Sequence, residues 1–358
     1  MSSALGPLCC LLACLLPALG RAAELVPPAG YLRSPTLQAG RPTGCPAVAQ
    51  PYVGDLLIPS KYEGSGPARD RLNAEANSRY QARTEPMRAL EKTVSKEVAA
   101  WLHSGQEAHL DCALEWLGQW ASAGALLSRE FTHTGKSVRK WTLGSIASAY
   151  LRLKFSRAHP LQGREAQTRP IEAWLTRLGE QVVADWRDPS LERLNNHQYW
   201  AAWAVMATAV AVERRDLFDW ALSQLRLGIA QVDGEGYLPN ELRRETRALA
   251  YHNYSLGPLL MLTAFAQANG VDLREDNQRA LQRLAERVEQ GIGHPQVFAE
   301  RTGFRQELAD LQGAGKFAWL EPYCALYRCL ADTDAWRRAL EPLKDDRLGG
   351  DLSQLFAK

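Results

Sequence analysis

Two short stretches of this chain concentrate side chains able to do acid–base and anion-binding chemistry. The first is Asn195-Asn196-His197-Gln198-Tyr199-Trp200, four polar side chains and two aromatics immediately ahead of an apolar segment. Polar groups set against an apolar core need hydrogen-bond partners or a purpose. A structural reading makes Asn195 or Asn196 a helix N-cap with a hydrogen-bonded histidine beside it. The second stretch runs from Leu238 through Asn240, Glu241, Arg243, Arg244, Arg247, Tyr251, His252 and Tyr254. On a helix Arg244 and Tyr251 would lie two turns apart on one face, aiming a guanidinium and a phenol into one cleft. Arg247 and Tyr254 share that spacing, so it leaves the pair open. A solvated arginine face bridged to Glu241 and Glu245 would use the same residues with no ligand at all.

Positioning such groups requires a rigid frame, and the sequence around them reads as helical from about Glu85 onward. Ile171, Trp174, Leu175, Leu178, Val182 and Trp186 recur in steps of three and four, which puts one apolar stripe on one helix face, with Pro170 suited to its first turn. Similar stripes occur at Leu110, Leu114 and Leu117, at Leu217, Trp220, Ala221 and Leu225, and at Leu281, Leu284, Ala285 and Val288. Breakers fall at Asp188-Pro189, at Asp233 to Gly236 and at Gly291 to Pro295. The segment Trp200 to Val212 is apolar on nearly every side and predicts an inner helix covered by others. Alternating β-type runs are scarce. The expected class is all-α, antiparallel helices in two concentric layers, with periodicity leaving a toroid and a bundle equally open. Upstream, residues 23–84 read as a proline-rich arm followed by a mobile basic loop carrying Gly64, Gly66, Pro67, Arg69, Arg71, Arg79 and Arg83. Residues 85–358 then form the helical body.

The chain has 358 residues, 46% of them hydrophobic, with 42 Lys plus Arg against 40 Asp plus Glu. That balance excludes the global basic field of a dedicated nucleic-acid binder, so an anionic partner must be held by a local cluster. Residues 1–22 have the outline of a secretory signal, an apolar run from Leu8 to Leu19 and then small residues, with cleavage expected after Gly20 or Ala22. The run is too short for a membrane span, and Leu12-Ala13-Cys14 only faintly resembles a lipoprotein site. Removing it leaves Cys45, Cys112, Cys324 and Cys329, an even number that permits two disulfides in three connectivities. Their spacing fits no common zinc pattern, and His109 with Cys112 reads as a helix-surface pair, so neither a metal nor a cofactor is expected.

Asn-Asn-His-Gln-Tyr-Trp, followed downstream by Leu-Pro-Asn-Glu-Leu-Arg-Arg-Glu-Thr-Arg-Ala-Leu-Ala-Tyr-His-Asn-Tyr, resembles the signature pair of the polysaccharide lyase family that contains the periplasmic alginate lyases. Ser60-Lys61-Tyr62 with the basic loop after it resembles that family's third block. The resemblance implies an incomplete α/α toroid with a deep groove and endolytic, metal-free cleavage of mannuronate-rich alginate by β-elimination in the periplasm. It implies an active-site set of Tyr251, His197, Asn196 and Arg244, with Lys61 and Trp200 as substrate-binding residues, and favours Arg244 with Tyr251 over Arg247 with Tyr254. An alginate biosynthesis and export complex is the further partner it suggests, with clearance of stranded polymer as the role.

This chemistry suits those residue types. Removing the C5 proton of a uronate builds negative charge on the adjacent carboxylate, which donors such as Asn196 and Arg244, with His197 as a further donor or a base, can stabilise. Tyr251 is the candidate proton shuttle, with Arg244 or Lys61 expected to lower its pKa, and His197 is the rival base. Arg69 and Arg71 are weaker substrate contacts. Three other readings use the same residues: a glycoside hydrolase built on Glu241 and Glu245, a binding or secretion-scaffold protein without turnover, and a glycosylation acceptor at Asn253-Tyr254-Ser255.

Overall fold

The computed structural model describes residues 24–38, 44–66, 68–187 and 189–356, so the signal-like segment 1–22 lies outside the described residues. Helices α1 (Ala74–Ser104), α2 (Glu107–Ser122), α3 (His133–Lys154), α4 (Glu165–Asp185), α5 (Asn196–Val212) and α6 (Arg215–Gln231) follow one another through short loops. After the single turn α7 (Pro239–Leu242) come α8 (Ala248–Ala268) and α9 (Asp276–Gly293). Helices α1, α3, α5 and α8 pack side by side as an inner layer, and α2, α4, α6 and α9 pack as an outer one. Sequence decides the layer: α5 and α8 are apolar and buried on nearly every side, whereas α6 and α9 bury one stripe and expose the other face. The architecture is an α/α toroid, and the inner helix expected over Trp200 to Val212 is α5.

Between α1 and α8 the inner layer is completed by a small C-terminal hairpin, not by another long helix. Lys344–Asp345 pairs antiparallel with Gly350–Asp351, and the turn between them, Asp346–Leu348, meets α1, α3 and α8 at the centre of the ring. The indole of Trp203 on α5 donates to Arg347 O at 2.7 Å, and Arg152 on α3 donates to Gly349 O at 3.1 Å. This plug forms the floor on which the cavity described below rests.

The N-terminal arm is fastened at several points along its length. Thr132 caps α3 by accepting from Gly135 N at 3.0 Å, while its hydroxyl donates to Ile58 O at 2.6 Å. Gly135 is required there, because a Cβ on it would lie 1.8 Å from Leu56 O. Farther back, Cys45 is bonded to Cys112 on α2, which settles half of the disulfide connectivity and removes Cys112 from any thiol chemistry. His109 pairs instead with the buried Glu97 at 2.6 Å. Cys324 is bonded to Cys329; these two and Asp334 lie close together among the described residues, but both sulfurs are taken by the disulfide.

Two boundaries differ from the sequence reading. Helix α1 starts at Ala74, where Asn73 caps it by accepting from Ala76 N at 2.9 Å. Arg79 and Arg83 therefore ride on a helix and not in the basic loop, because a side-chain cap outweighs the weak apolar periodicity of this first turn. Helix α4 starts at Glu165, so Pro170 lies inside it and not in the first turn.

Alanine at both Cys45 and Cys112 should lower the unfolding free energy by about 3–4 kcal/mol, because the bridge closes a separation of 67 residues. A urea midpoint equal to that of the parent would show that the arm is held without it.

Candidate active site

A cavity of about 710 Å3 opens above the C-terminal hairpin, lined by residues from several separate parts of the chain. Ser60, Lys61, Tyr62 and Arg69 come from the arm and loop, Asn196, His197 and Trp200 from the start of α5, Arg247, Tyr251 and Tyr254 from α8 and its approach, and Arg347 from the hairpin.

Asn195 is the N-cap of α5, its side chain accepting from His197 N at 3.0 Å. The cap turns Asn196 inward, where its backbone N–H and Nδ2 both donate to Glu241 Oε1, at 2.6 and 2.8 Å. Glu241 is fully buried, and its second oxygen accepts from Arg244 Nε at 3.4 Å. One carboxylate therefore joins the two sequence clusters. It also removes the two-carboxylate hydrolase reading, since Glu241 is committed to donors on both oxygens.

Arg244 is not on one helix with Tyr251, as the spacing argument required. It occupies the turn between α7 and the 3-10 turn Glu245–Arg247 that leads into α8, because the chain must bend there to bring Glu241 under Asn196. Its guanidinium nevertheless lies over the Tyr251 ring, 4.5 Å from the centroid. Arg247 lies 5.0 Å from the same ring and 5.1 Å from that of Tyr62, so both arginines serve this tyrosine. Tyr254 turns instead to Arg347, which donates to its hydroxyl at 3.1 Å. Arg247 also donates to Arg69 O and to Asp310 Oδ2, each at 2.7 Å, which ties the basic loop to the segment after α10 (Gln296–Thr302).

The remaining predicted residues divide. Lys61 lines the cavity half-buried, its Nζ 5.0 Å from the Tyr62 ring. Arg69 lines it too, but Arg71 is exposed and outside. Trp200 is at the wall, 2% exposed, with its ring stacked on Tyr254 at 4.8 Å, so it backs the groove. Asn253 is buried, donating to Lys316 O at 2.9 Å and accepting from Trp319 Nε1 at 2.7 Å, which excludes the glycosylation reading. His252 is structural: Nδ1 donates to Ala248 O and Nε2 accepts from Leu238 N, each at 2.8 Å, holding the Leu238–Arg247 segment against α8.

Burial raises the Tyr251 phenol, and the charges of Arg247 and then Arg244 only partly offset it, so the group is a protonated phenol at neutral pH. The expected lowering by Arg244 or Lys61 is thus outweighed by desolvation. His197 is pushed well below the ordinary histidine range, chiefly by burial, and is a neutral imidazole. Its ring stacks on Trp186 and meets His133 edge-on at 4.8 Å. His133 is itself pushed down to about 4 by burial and nearby cations.

Several lining residues escaped the sequence reading. Arg347 lies far along the chain from either motif, and Arg88 and Lys92, one turn apart on the exposed side of α1, look like ordinary surface charge. Trp141 and the buried Lys140 carried a usable signal, since Lys136, Arg139 and Lys140 are the charged residues in a stretch of α3, Gly135 to Leu151, whose other residues are apolar, aromatic or small.

Several known proteins are similar to this chain. The family described as "Alginate lyase" matches residues 57–298. The alginate lyase of Pseudomonas putida is 53% identical over 336 residues, covering 93% of this chain and 91% of that protein. The alginate lyase of Azotobacter vinelandii is 51% identical over 352 residues, covering 98% and 94%. Among solved structures, alginate lyase A1-III from Sphingomonas species A1 superposes with a TM-score of 0.73 at 21% identity, covering 92% and 90% of the two chains. A histidine-to-alanine variant of A1-III complexed with tetrasaccharide gives 0.75 at 20% identity, covering 89% and 88%.

His252 supplies a test of the scaffold. Its folded pKa of about 4 lies below the ordinary 6.5, so the unfolded chain binds its proton first as pH falls. Stability is complete above pH 6.5 and should fall by about 3 kcal/mol from this group as pH drops toward 4. Between pH 7 and 4 the unfolding free energy of the parent should fall by about 3 kcal/mol more than that of His252→Gln; parallel curves would assign the acid sensitivity elsewhere.

Proposed function

Since the chain belongs to the alginate lyase family and its activity is that of an alginate lyase, we propose that it cuts mannuronate-rich alginate endolytically by β-elimination. The observation that carries this reading is the phenol of Tyr251 held beneath two guanidinium groups, with Asn196 fixed beside them by Glu241. Polymer lies along the cavity with one uronate carboxylate facing Asn196 and Arg244. These donors stabilise the charge that builds when the C5 proton leaves, and loss of one such donor typically costs about 100-fold in rate. The C5–H electrons form the C4–C5 double bond as the C4–O4 bond breaks, and O4 leaves with a proton. In mannuronate the C5 hydrogen and O4 share a face, so one tyrosine, once it has released its own proton to solvent, can take the C5 proton as a phenolate and deliver it to O4.

Tyr251 starts as a phenol, so it becomes a base only when its own proton has gone. Arg244 and Arg247, already on its ring, are the charges that favour the phenolate once it forms. Lys61 on the loop holds a neighbouring carboxylate, and the tetrasaccharide bound by the A1-III variant supports a groove that takes several sugars. The cationic lining around Arg69, Arg88, Lys92 and Arg347 supports an internal position on a long polyanion, hence an endolytic cut.

The signal-like segment 1–22 supports a periplasmic location, where the enzyme would clear polymer stranded during export by an alginate biosynthesis complex. Among the described residues no helix is long and apolar enough to cross a membrane.

Absorbance of unsaturated uronate during action on poly-mannuronate should rise with the parent, with a fall in viscosity preceding most of the absorbance change. Tyr251→Phe should abolish the rise, Asn196→Ala should slow it by about 100-fold, and Lys61→Ala should act mainly through KM. New reducing ends without absorbance would mean hydrolysis, and undiminished turnover by Tyr251→Phe would remove that residue from the mechanism.

A further inference from the structure

We propose that Lys140 is a positioning residue that fixes the tautomer of His197, accepting its Nδ1 proton so that Nε2 presents a lone pair to the cavity. The inference rests on His197 belonging to the reaction site. It begins from a lysine that is fully buried in α3 and lies within salt-bridge distance of no carboxylate among the described residues.

Three groups surround the Lys140 amine. His197 O lies 2.7 Å away, the Trp186 ring centroid 3.7 Å and His197 Nδ1 3.0 Å. A carbonyl oxygen and an indole face can only receive N–H groups, which uses both hydrogens of a neutral amine and leaves its lone pair for Nδ1. Ser137 decides the direction independently. Its single hydroxyl proton goes to His133 O at 2.8 Å, so the oxygen it turns to His197 Nδ1 at 3.3 Å can only accept. Both neighbours of Nδ1 are therefore acceptors, and the proton between them is the imidazole's own.

The charged alternative places an ammonium proton on Nδ1 and leaves Ser137 facing a lone pair. It also buries a cation among cations. The groups facing Lys140 and His197 are Lys136 and His133 from α3, Arg347 from the hairpin, Arg244 from the turn before α8 and Arg69 from the loop. None of them is an anion. Burial first, then the charges of Lys136 and Arg347, hold the Lys140 amine well below the ordinary lysine range.

The consequence is chemical. An imidazole with a bare Nε2 cannot donate to the uronate carboxylate, so that task falls to Asn196 and the arginines, and His197 becomes a base. When the C5 hydrogen faces Nε2, the proton passes to that nitrogen, the C4–O4 bond breaks, and O4 takes its proton from the Tyr251 phenol.

The test uses the full chain, free of ligand, with histidine ring nitrogens labelled with 15N and the His197 signals assigned through His197→Gln. Between pH 6 and 8 the expected spectrum has Nδ1 protonated and Nε2 bare, whatever the activity on alginate. In Lys140→Met the Nδ1 preference should weaken and kcat on guluronate-containing alginate, whose C5 hydrogen lies on the face opposite to that in mannuronate, should fall by about tenfold or more with little change in KM. Lys140→Arg should not rescue it, since a guanidinium has no lone pair to offer. A bare Nδ1 in the parent, or an unchanged tautomer in Lys140→Met, would overturn the proposal. If the methionine variant does not fold, the parent spectrum alone decides.

Discussion

Gathering cations around one cavity is unfavourable until an anion arrives, and the buried carboxylate of Glu241 is what makes the arrangement tolerable. It is the acceptor shared by Asn196 and Arg244, and it lies at full burial beneath the two clusters it joins. Without it Asn196 would have two inward-facing donors unsatisfied, each costing about 1–3 kcal/mol. Asp310 does the same for Arg247 from the other side. The acids take up the inner edges of the guanidinium groups and leave their faces over the Tyr251 ring. The cavity thus keeps a net positive lining whose missing counter-charges are those of the polymer.

The toroid matters to this chemistry because it brings distant segments to one point. The α5 N-terminus, the turn before α8, the basic loop and the C-terminal hairpin are separated along the chain, yet each ends at the same central opening. The hairpin is the least obvious contributor and one of the most constrained. Its carbonyls take the side-chain donors of Trp203 and Arg152, so inner-layer residues facing the axis have their partners supplied by a chain end. That arrangement presents Arg347 upward, where it holds Tyr254 and covers Trp141.

Helix class and the presence of two layers were legible in the sequence because they are written in periodicity, and α5 was recognisable as interior from its apolar surround. The residues of the candidate site stood out for a different reason: Asn196, His197, Arg244 and Tyr251 sit in dense polar runs beside apolar helices, and the family resemblance chose among them. The start of α1 was missed because one asparagine cap sets it. The geometry behind Arg244 was also misjudged. The seven-residue helical spacing was the wrong reason for a contact that exists, since a tight turn, not a helix face, carries that arginine to the ring. Arg347 was invisible for want of any local pattern, and the three clustered cations of α3 gave no sign that Lys140 would face His197. Their meaning arises only from what the fold places opposite them.

Burial has opposite effects on the two kinds of group that meet here. It keeps Tyr251 as a phenol and His197 as an imidazole, because each would have to carry charge away from water. Arginine resists the same pressure, as its guanidinium keeps its charge in proteins and spreads it over a planar face that stacks on aromatic rings. One desolvated cavity therefore supplies permanent positive charge for the polymer and neutral acid–base groups for the proton. Lysine at the same depth cannot play the arginine's part. Lys61, half-exposed on the loop, can carry charge to the substrate, whereas Lys140, buried against His197, is left with the one property a neutral amine has and a guanidinium lacks, a lone pair.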